Sequence, residues 1–253
     1  METPAVRVLV VGDSGVGKTT LLQGVCTSAA NGVERESAKQ AHRWTIGCDV
    51  HLLLHHYRDG YGMTKETYIE FVDVGGHPKY EISRAMFYHD VQGIILMHDL
   101  SNARSFDHLR QWMTEIQETQ RRKGSVLSAS FHQRTADAPT LHSLPKLIIG
   151  NKRDLVARQS SNKRLPTTVA SELRGIDTLE ASAEPFALDQ YAFGGFLDRV
   201  VAFANNQGVE SSQGHDATYH PASAFSDGLR QMKGKPGVSP SPTALNSTGS
   251  WWR

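Results

Sequence analysis

A glycine-rich segment near the start of the chain restricts the fold more than any other feature. Residues 12–20, GDSGVGKTT, fit the spacing GxxxxGK(S/T). The preceding residues 6–11 form an apolar run rich in valine, and the residues after Thr19 begin a helical pattern. Strand, loop and helix therefore follow in the order that a phosphate-binding loop requires, and a simple glycine-rich turn does not account for this context.

Each part of this loop has a chemical task. The glycines let backbone N–H groups turn inward around a phosphate, and the first turn of the helix adds partial positive charge. Lys18 then reaches the β- and γ-phosphates, while the Thr19 hydroxyl binds Mg²⁺. We expect nucleotide contacts from Asp13, Ser14, Gly15, Val16, Gly17, Lys18, Thr19 and Thr20.

Composition argues against several functional classes. The chain has 253 residues and a formal net charge of +1, so there is no electrostatic case for nucleic acid as a partner. Cys26 and Cys48 are far apart, which excludes a disulfide framework and a cysteine-rich zinc site. No apolar run approaches the roughly 20 residues of a membrane span, and the first strand begins too early to leave room for a signal peptide. We therefore expect a cytoplasmic protein.

Apolar runs alternate with helical patterns over residues 1–205. This alternation predicts an α/β fold, a mostly parallel six-stranded sheet with helices on both faces and the ligand at the carboxyl ends of the strands. The predicted strands are 6–11, 49–57, 68–74, 93–100, 145–150 and 178–181, and the predicted helices are 21–28, 80–89, 105–122, 167–174 and 189–204.

Two segments lack such patterns. Residues 123–144 are polar, rich in Ser, Thr and His, and are predicted to form a surface insertion in the domain. Residues 206–253 are rich in Ser, Pro and Gly, which predicts a disordered tail. Trp251 and Trp252 near its end either bind a partner groove or are unselected tail residues.

Asp73 and Gly76, in the segment DVGG, follow the third predicted strand. The Asp73 carboxylate is placed to reach Mg²⁺ through water, and the Gly76 N–H to bond a γ-phosphate. An isolated DxxG is usually only a turn, but its place after this strand and this loop favours the ligand. The pair therefore predicts a site that detects the third phosphate.

Residues 151–154, NKRD, follow the strand predicted at 145–150 and select the base. The Asp154 carboxylate accepts from the ring N–H and the exocyclic amine of guanine, an edge that adenine lacks, and the Lys152 stem lies across the ring. Asn151 completes the motif, and Ser182 and Ala183 after the last strand bring a backbone N–H to the guanine oxygen. An isolated NKRD would favour a polar turn, but the ordered series of motifs makes chance a poor explanation.

With these motifs the chain resembles the Ras-superfamily small GTPases over about residues 6–204, and it is most similar to their atypical Rab-like branch, which includes the Rab-like three proteins and the plant light-insensitive-period GTPases. The narrower resemblance rests on residues 12–21 (GDSGVGKTTL), 44–48 (WTIGC), 73–77 (DVGGH) and 87–101 (FYHDVQGIILMHDLS). It implies a Ras-like P-loop GTPase domain that binds GTP and GDP with Mg²⁺. Thr45 then matches the threonine whose hydroxyl binds Mg²⁺ only in the triphosphate state, the alternative being an ordinary threonine at a strand start.

The resemblance also implies partners. Protein effectors or regulators would bind the two nucleotide-responsive segments, 29–47 and 73–89, and the Rab-like branch suggests a homodimer. Neither cysteine lies in the tail, so a prenyl membrane anchor is not expected.

Beside Gly76 the sequence departs from the family pattern. His77 stands where most members have a water-orienting glutamine, and Pro78 replaces the acidic residue that follows. A neutral imidazole accepts from or orients water, which makes His77, Lys18 and Gly76 the candidate catalytic residues and predicts pH-sensitive hydrolysis. Alternatively, His77 lies on the surface of a mobile loop and hydrolysis is nearly absent.

A further departure concerns the base. Ras-like proteins cover guanine with an aromatic ring from the segment equivalent to residues 29–43, where this chain offers only His42. Losing a stacking partner costs on the order of 1 kcal/mol, which predicts weak binding and fast exchange without a dedicated exchange factor.

Two functions therefore remain open. One is a GTP-binding molecular switch with slow intrinsic hydrolysis, since no arginine that would act in cis on the γ-phosphate is evident. The other is a GTP-dependent scaffold or dimerising binding module with negligible hydrolysis. An ATP-using P-loop enzyme would leave NKRD unexplained.

Overall fold

The computed structural model describes residues 5–29, 44–126, 143–158 and 173–212, and the structural statements below refer to these ranges. They contain a seven-stranded sheet with helices on both faces. The strands are β1 (Ala5–Val11), β2 (Cys48–Arg58), β3 (Thr64–Val74), β4 (Gly93–Asp99), β5 (Lys146–Asn151), β6 (Asp177–Ala183) and β7 (Phe186–Leu188). The helices are α1 (Lys18–Ala29), α2 (Glu81–Arg84), α3 (Ala103–Asp107), α4 (Leu109–Val126), α5 (Arg153–Arg158) and α6 (Gln190–Ser212).

The sheet has the strand order β2-β3-β1-β4-β5-β6-β7. The central strands run parallel, with β1 between β3 and β4 and with β5 between β4 and β6. Only the outer pairs, β2 with β3 and β6 with β7, are antiparallel. The predicted α/β class and mostly parallel sheet are confirmed. The prediction of six strands misses β7, whose three residues are too few to show a period.

Alternation along β1 sends its side chains to opposite faces of the sheet. Val8 and Val10 join a core cluster with residues of α1 and α6, whereas Leu9 and Val11 join a second cluster with residues of α4. All four are fully buried, because a parallel central strand is covered on both faces.

The segment predicted as a helix at 80–89 is instead a series of short turns. A 3₁₀ turn at Pro78–Tyr80, the single turn α2 and a second 3₁₀ turn at Ala85–Phe87 follow one another. Of the apolar residues whose spacing suggested a helix, Ile82 and Met86 are 95% and 59% exposed, while Phe87 packs against the core. One packed residue of the three makes no apolar stripe, so nothing extends the helix beyond these turns.

Other boundaries also differ from those expected. The helix predicted at 105–122 is divided into α3 and α4, and α4 continues to Val126, into the predicted insertion at 123–144. Helix α5 was not expected, and α6 continues to Ser212, past the predicted start of the tail. Residues 127–142, most of the helix predicted at 167–174, and the tail with Trp251 and Trp252 lie outside the described residues.

The predicted motifs all follow strands at one edge of the sheet. Residues 12–17 follow β1, Gly75 and Gly76 follow β3, Asn151 ends β5, and Ala183 ends β6. Because these four strands are parallel, their carboxyl ends meet at the same edge. No helix in the described ranges is long and apolar enough to cross a membrane.

Candidate functional site

Three loop segments meet at the carboxyl edge of the sheet. Residues 44–47 are held against the end of β3 because the Gly75 N–H donates to the Gly47 carbonyl at 2.8 Å. Gly76 lies against the loop that follows β1, where a Cβ would collide with the main chain of Gly12, Asp13 and Ser14. The Gly76 position therefore requires glycine, and its backbone faces the same space as the loop.

The glycine-rich loop closes tightly around the start of α1. Gly17 has a φ of 92°, a backbone conformation that glycine adopts without the strain imposed by a side chain. A Cβ at this position would also collide with the side-chain amide of Asn151. Val16 contributes only its backbone to the open side of the loop, since its side chain is buried in the core. Ser14 and Gly15 are exposed, as a ligand-binding loop requires.

Lys18 folds back across this loop. Its Nζ donates to the carbonyl oxygens of Gly12 at 2.8 Å and of Asp13 at 3.1 Å, and the residue is only 6% exposed. Burial lowers the pKa of the Lys18 ammonium to about 8, although the carboxylates of Asp73 and Asp13 act in the opposite direction. A buried ammonium bound only by carbonyl oxygens is poised to bind an anion at the loop.

Three oxygen-bearing side chains from different segments converge beside Lys18. The Thr19 hydroxyl donates to Asp73 Oδ2 and lies 3.0 Å from the Thr45 hydroxyl. Thr45 also donates to Asp73 Oδ2, at 3.5 Å. The sequence had predicted these three residues as the Mg²⁺ site, and the fold brings them together from α1, residues 44–47 and β3.

Asp73 gives the clearest indication of a cation-binding site. Its side chain is fully buried, and its Oδ1 has no hydrogen-bond partner among the described residues. Burial raises the pKa of the Asp73 carboxyl group, although Lys18, the Thr19 hydroxyl and His51 counteract the effect. A buried carboxylate oxygen without a partner, next to two hydroxyls, is a donor set that suits a hard divalent cation such as Mg²⁺.

Asn151 joins the end of β5 to the phosphate loop. Its Nδ2 donates to the Val16 carbonyl at 2.8 Å, and its Oδ1 is buried without a partner among the described residues. The first residue of the NKRD segment therefore supports the loop, and only the following residues extend toward the base.

Lys152 is held by a partner that sequence reasoning missed. Lys152 has a φ of 62°, and its Nζ lies 2.8 Å from Asp99 Oδ2 at the end of β4. Burial acts to raise the pKa of Asp99, but the Lys152 ammonium and the Ser101 hydroxyl outweigh it and hold the pKa below its ordinary value. Asp99 lies in the segment 87–101 that carries the family resemblance, but no role was assigned to it there.

Asp154 and Ser182 face each other across the base end of the site. The Ser182 hydroxyl donates to Asp154 Oδ1 at 2.9 Å, which orients the carboxylate in the first turn of α5. Ser182 is buried, and Ala183 follows it at the end of β6. For Ser182 and Ala183 only a backbone role was expected, so this side-chain contact is an addition. It occupies Asp154 Oδ1 and leaves Asp154 Oδ2 available to a ligand.

The ring of His77 is fixed on two sides. Its Nδ1 accepts from the Lys79 N–H at 3.1 Å, as the cap of the turn at Pro78–Tyr80. The ring also stacks on Trp44, with the centroids 5.9 Å apart. Because Nδ1 accepts, the neutral ring carries its hydrogen on Nε2. In this geometry the neutral ring has an Nε2–H to donate and no free ring nitrogen that accepts a proton.

The carboxylate of Asp13 turns away from the phosphate loop. Its Oδ1 accepts from Trp112 Nε1 at 3.0 Å, and its Oδ2 lies 2.6 Å from His108 Nδ1. The nucleotide contact predicted for Asp13 is therefore left to its backbone. The Asp13 carbonyl lies on the inner side of the phosphate loop, where it accepts a hydrogen bond from Lys18 Nζ. Trp112 appeared in the sequence only as an apolar helix position, and His108 gave no signal.

Comparison with known proteins agrees with this geometry. A sequence model of the Ras family matches residues 7–195. The chain is 36% identical to Rab-like protein 3 of Danio rerio over 168 residues, covering 64% of this chain and 68% of that protein. It is 35% identical to Rab-like protein 3 of Homo sapiens over 170 residues, covering 64% and 67%. It is 31% identical to Small GTPase LIP1 of Arabidopsis thaliana over 164 residues, covering 62% and 43%.

Proposed function

Because the chain belongs to the Ras family of small GTPases, in its Rab-like branch, we propose that it is a GTP-binding switch that hydrolyses GTP slowly and exchanges nucleotide quickly. The observation that carries the proposal is the meeting of Thr19, Thr45 and Asp73, with a buried carboxylate oxygen left without a partner. Thr45 and Asp73 come from the two segments that flank the position of a third phosphate, so the site distinguishes GTP from GDP.

Each part of the nucleotide has residues to bind it. The phosphates take the N–H groups of residues 13–20 and the Lys18 ammonium, and the γ-phosphate takes the Gly76 N–H. Thr19, Thr45 and Asp73 hold Mg²⁺, which when bound supplies positive charge to the phosphate oxygens. Asp154 accepts from guanine, and Lys152 covers one face of the ring.

The switch operates through contacts between two segments. Thr45 bonds Thr19 and Asp73, and the Trp44 ring stacks on His77, so residues 44–47 and 73–77 are joined around the phosphate position. Loss of the γ-phosphate removes the ligand of Gly76 and weakens the hold on Thr45. The exposed apolar side chains of Trp44, Ile46 and Ile82 then change position, which alters the surface that protein effectors or regulators bind.

We assign the chain a GTPase domain at 1–205 followed by a tail, a cytoplasmic location, and association as a homodimer. These assignments rest on the sequence pattern and on the family.

Hydrolysis is expected to be slow. Intrinsic rates in this chemistry fall to roughly 10⁻⁴ s⁻¹ when no arginine reaches the transferring phosphoryl group. Arg84 is buried close enough to Lys18 to lower its pKa further, but its guanidinium is bound by Glu115 and lies over Trp112. His77 contributes by orienting the attacking water through Nε2–H.

A test follows from the bond between His77 Nδ1 and the Lys79 N–H. His77→Ala removes this bond together with the Nε2–H that orients the attacking water, so it should lower the single-turnover rate of GTP hydrolysis by about tenfold or more at neutral pH. His56→Ala, on the exposed edge of the sheet, serves as the control and should match the wild type.

The scaffold function is the second candidate, and one observation favours it. His77 already uses one nitrogen as a helix cap and one face against Trp44, which is sufficient to explain its presence without catalysis. Equal and near-zero rates for the wild type and His77→Ala, with GTP still bound, would support the scaffold against the hydrolysing switch.

Fast exchange gives a separate prediction. Since residues 29–43 offer only His42 to cover the base, GDP should leave at least about fivefold faster than from a Ras-family protein that has an aromatic ring in this segment. Residues 30–43 lie outside the described residues, so this expectation rests on the sequence. Release of fluorescent GDP, measured in excess Mg²⁺ without an exchange factor, tests it, and release as slow as in the reference protein would contradict it.

A further inference from the structure

Three polar or amphipathic side chains form a row along the beginning of α4. His108 precedes the helix but is in register with it, because the Trp112 N–H donates to the His108 carbonyl at 3.1 Å. Glu115 follows Trp112 by three residues, and the spacing of four and three places His108, Trp112 and Glu115 on one face. We call these three residues the α4 row.

One end of the α4 row binds the phosphate loop. Both oxygens of the Asp13 carboxylate are occupied, one by the indole N–H of Trp112 at 3.0 Å and the other by His108 Nδ1 at 2.6 Å. Asp13 lies between Gly12 and Ser14, in the middle of the turn that surrounds the phosphates. The beginning of α4 is therefore hydrogen-bonded to this turn.

The other end binds the segment that follows Gly76. Arg84 is 6% exposed, and its guanidinium donates through Nε to Glu115 Oε1 at 2.6 Å and through Nη2 to Glu115 Oε2. The Tyr88 hydroxyl donates to the same Glu115 Oε1 at 2.8 Å. Arg84 Nη1 also reaches the His77 carbonyl at 3.5 Å, so the pair extends to the residue next to the γ-phosphate position.

Trp112 is the member shared by both ends. Its N–H bonds Asp13, while the face of its ring lies 4.0 Å from the Arg84 guanidinium carbon. A buried cation above an indole face is held in place by the ring quadrupole as well as by its carboxylate partner. The edge and the face of one side chain thus contact the two segments that bind phosphate.

We propose that the α4 row positions the phosphate loop and the segment 77–88 relative to each other, and that Trp112 couples the two. The row acts through Asp13 and Arg84, so His108, Trp112 and Glu115 are positioning residues. The inference rests on the proposed function, because the coupling is expressed in how the chain holds GTP and GDP.

The two contacts of Trp112 can be separated by substitution. Trp112→Phe removes the N–H but keeps an aromatic face for Arg84, so release of GDP and of a non-hydrolysable GTP analogue should both accelerate, each by about tenfold.

Glu115→Gln keeps the shape of the side chain but weakens the ion pair with Arg84. Release of the GTP analogue should then accelerate by about fivefold while GDP release is unchanged, since only the third phosphate uses the segment after β3.

The double variant tests the coupling itself. If the two ends act independently, the effects of Trp112→Phe and Glu115→Gln on release of the GTP analogue multiply; coupling through Trp112 predicts a departure from that product. Met113→Leu, at the adjacent buried position of α4, is the matched control and should leave both release rates unchanged. Thermal unfolding of each variant identifies any that fold poorly.

A second variant keeps the inference testable if Trp112→Phe does not fold. Asp13→Asn leaves a single acceptor oxygen for two donors, so one bond to the α4 row is lost, and release of both nucleotides should accelerate several-fold. Release rates for Trp112→Phe and Asp13→Asn equal to those of Met113→Leu would overturn the inference alone. Failure of the wild type to bind either nucleotide would overturn the proposed function and this inference with it.

Discussion

Replacing Asp154 with asparagine is expected to change the preferred nucleotide from GTP to XTP. In the proposed base site the Asp154 carboxylate accepts two hydrogen bonds from guanine, and an amide in its place offers one acceptor and one donor. Xanthine carries an oxygen where guanine carries its exocyclic amine, so it accepts from the new amide. The Ser182 hydroxyl, which donates to Asp154 Oδ1, can still bind the amide oxygen and so directs the NH₂ toward the base.

The loss of two charge-assisted bonds should weaken GTP binding by at least about a hundredfold. Competition between GTP and XTP for a fluorescent nucleotide, measured with both proteins, gives the two affinities directly. Asp177→Asn, at the opposite end of β6 from the site, is the control and should bind GTP like the wild type. Retention of GTP preference by Asp154→Asn would contradict the assignment of the base site.

Replacing Lys18 with methionine is expected to abolish tight nucleotide binding. Methionine fills a similar volume but removes the only buried ammonium described beside the loop, so GTP and GDP affinities should fall by more than about a hundredfold. Isothermal titration with either nucleotide measures the loss. Unchanged affinity would show that the phosphates do not lie in the loop.

The pH dependence of binding gives the control for this variant. Burial lowers the pKa of Lys18 to about 8 in the nucleotide-free protein, and bound phosphate raises it again by attraction. Binding therefore takes up a proton above pH 8, and wild-type affinity should fall by up to about tenfold per pH unit there. Lys18→Met should lose this dependence.

The same shift has the opposite consequence for stability. Between pH 8 and the ordinary lysine value the unfolded chain binds more protons than the nucleotide-free folded chain, so the free energy of unfolding rises with pH in that window. Below pH 8 the buried ammonium destabilises the empty protein by on the order of 3 kcal/mol. Nucleotide-free Lys18→Met should accordingly unfold at a higher temperature than the nucleotide-free wild type.

Much of the site was predictable because its motifs are local. A strand that ends at Val11, Val74 or Asn151 places the following residues at one edge of a parallel sheet, and spacing identified those residues. The meeting of Thr19 and Asp73 follows from that arrangement, whereas Thr45 was expected there only because of the family resemblance.

What the sequence did not reveal depends on partners that are distant along the chain. Asp13 and His108 are separated by 95 residues, and nothing near either one indicates the contact. The segment 80–89 shows the same limit, since its helical spacing pointed to Ile82, Met86 and Phe87. The residues that are buried are Arg84 and Tyr88, which turn inward to reach Glu115 rather than to extend a helix. Tertiary hydrogen bonds overrode the local pattern there.

The bond from Asn151 to the Val16 carbonyl spans 135 residues. The Asn151 amide fits against Gly17 only because Gly17 has no side chain. The phosphate loop is therefore packed against the end of β5 and hydrogen-bonded to it. During synthesis, a nascent chain that stops before β5 already carries the complete phosphate-loop sequence but lacks the side chain that supports its shape. We therefore expect nucleotide capture to begin only after residue 151 has emerged from the ribosome, and a translation product that ends before it to have the motif without its Asn151 support.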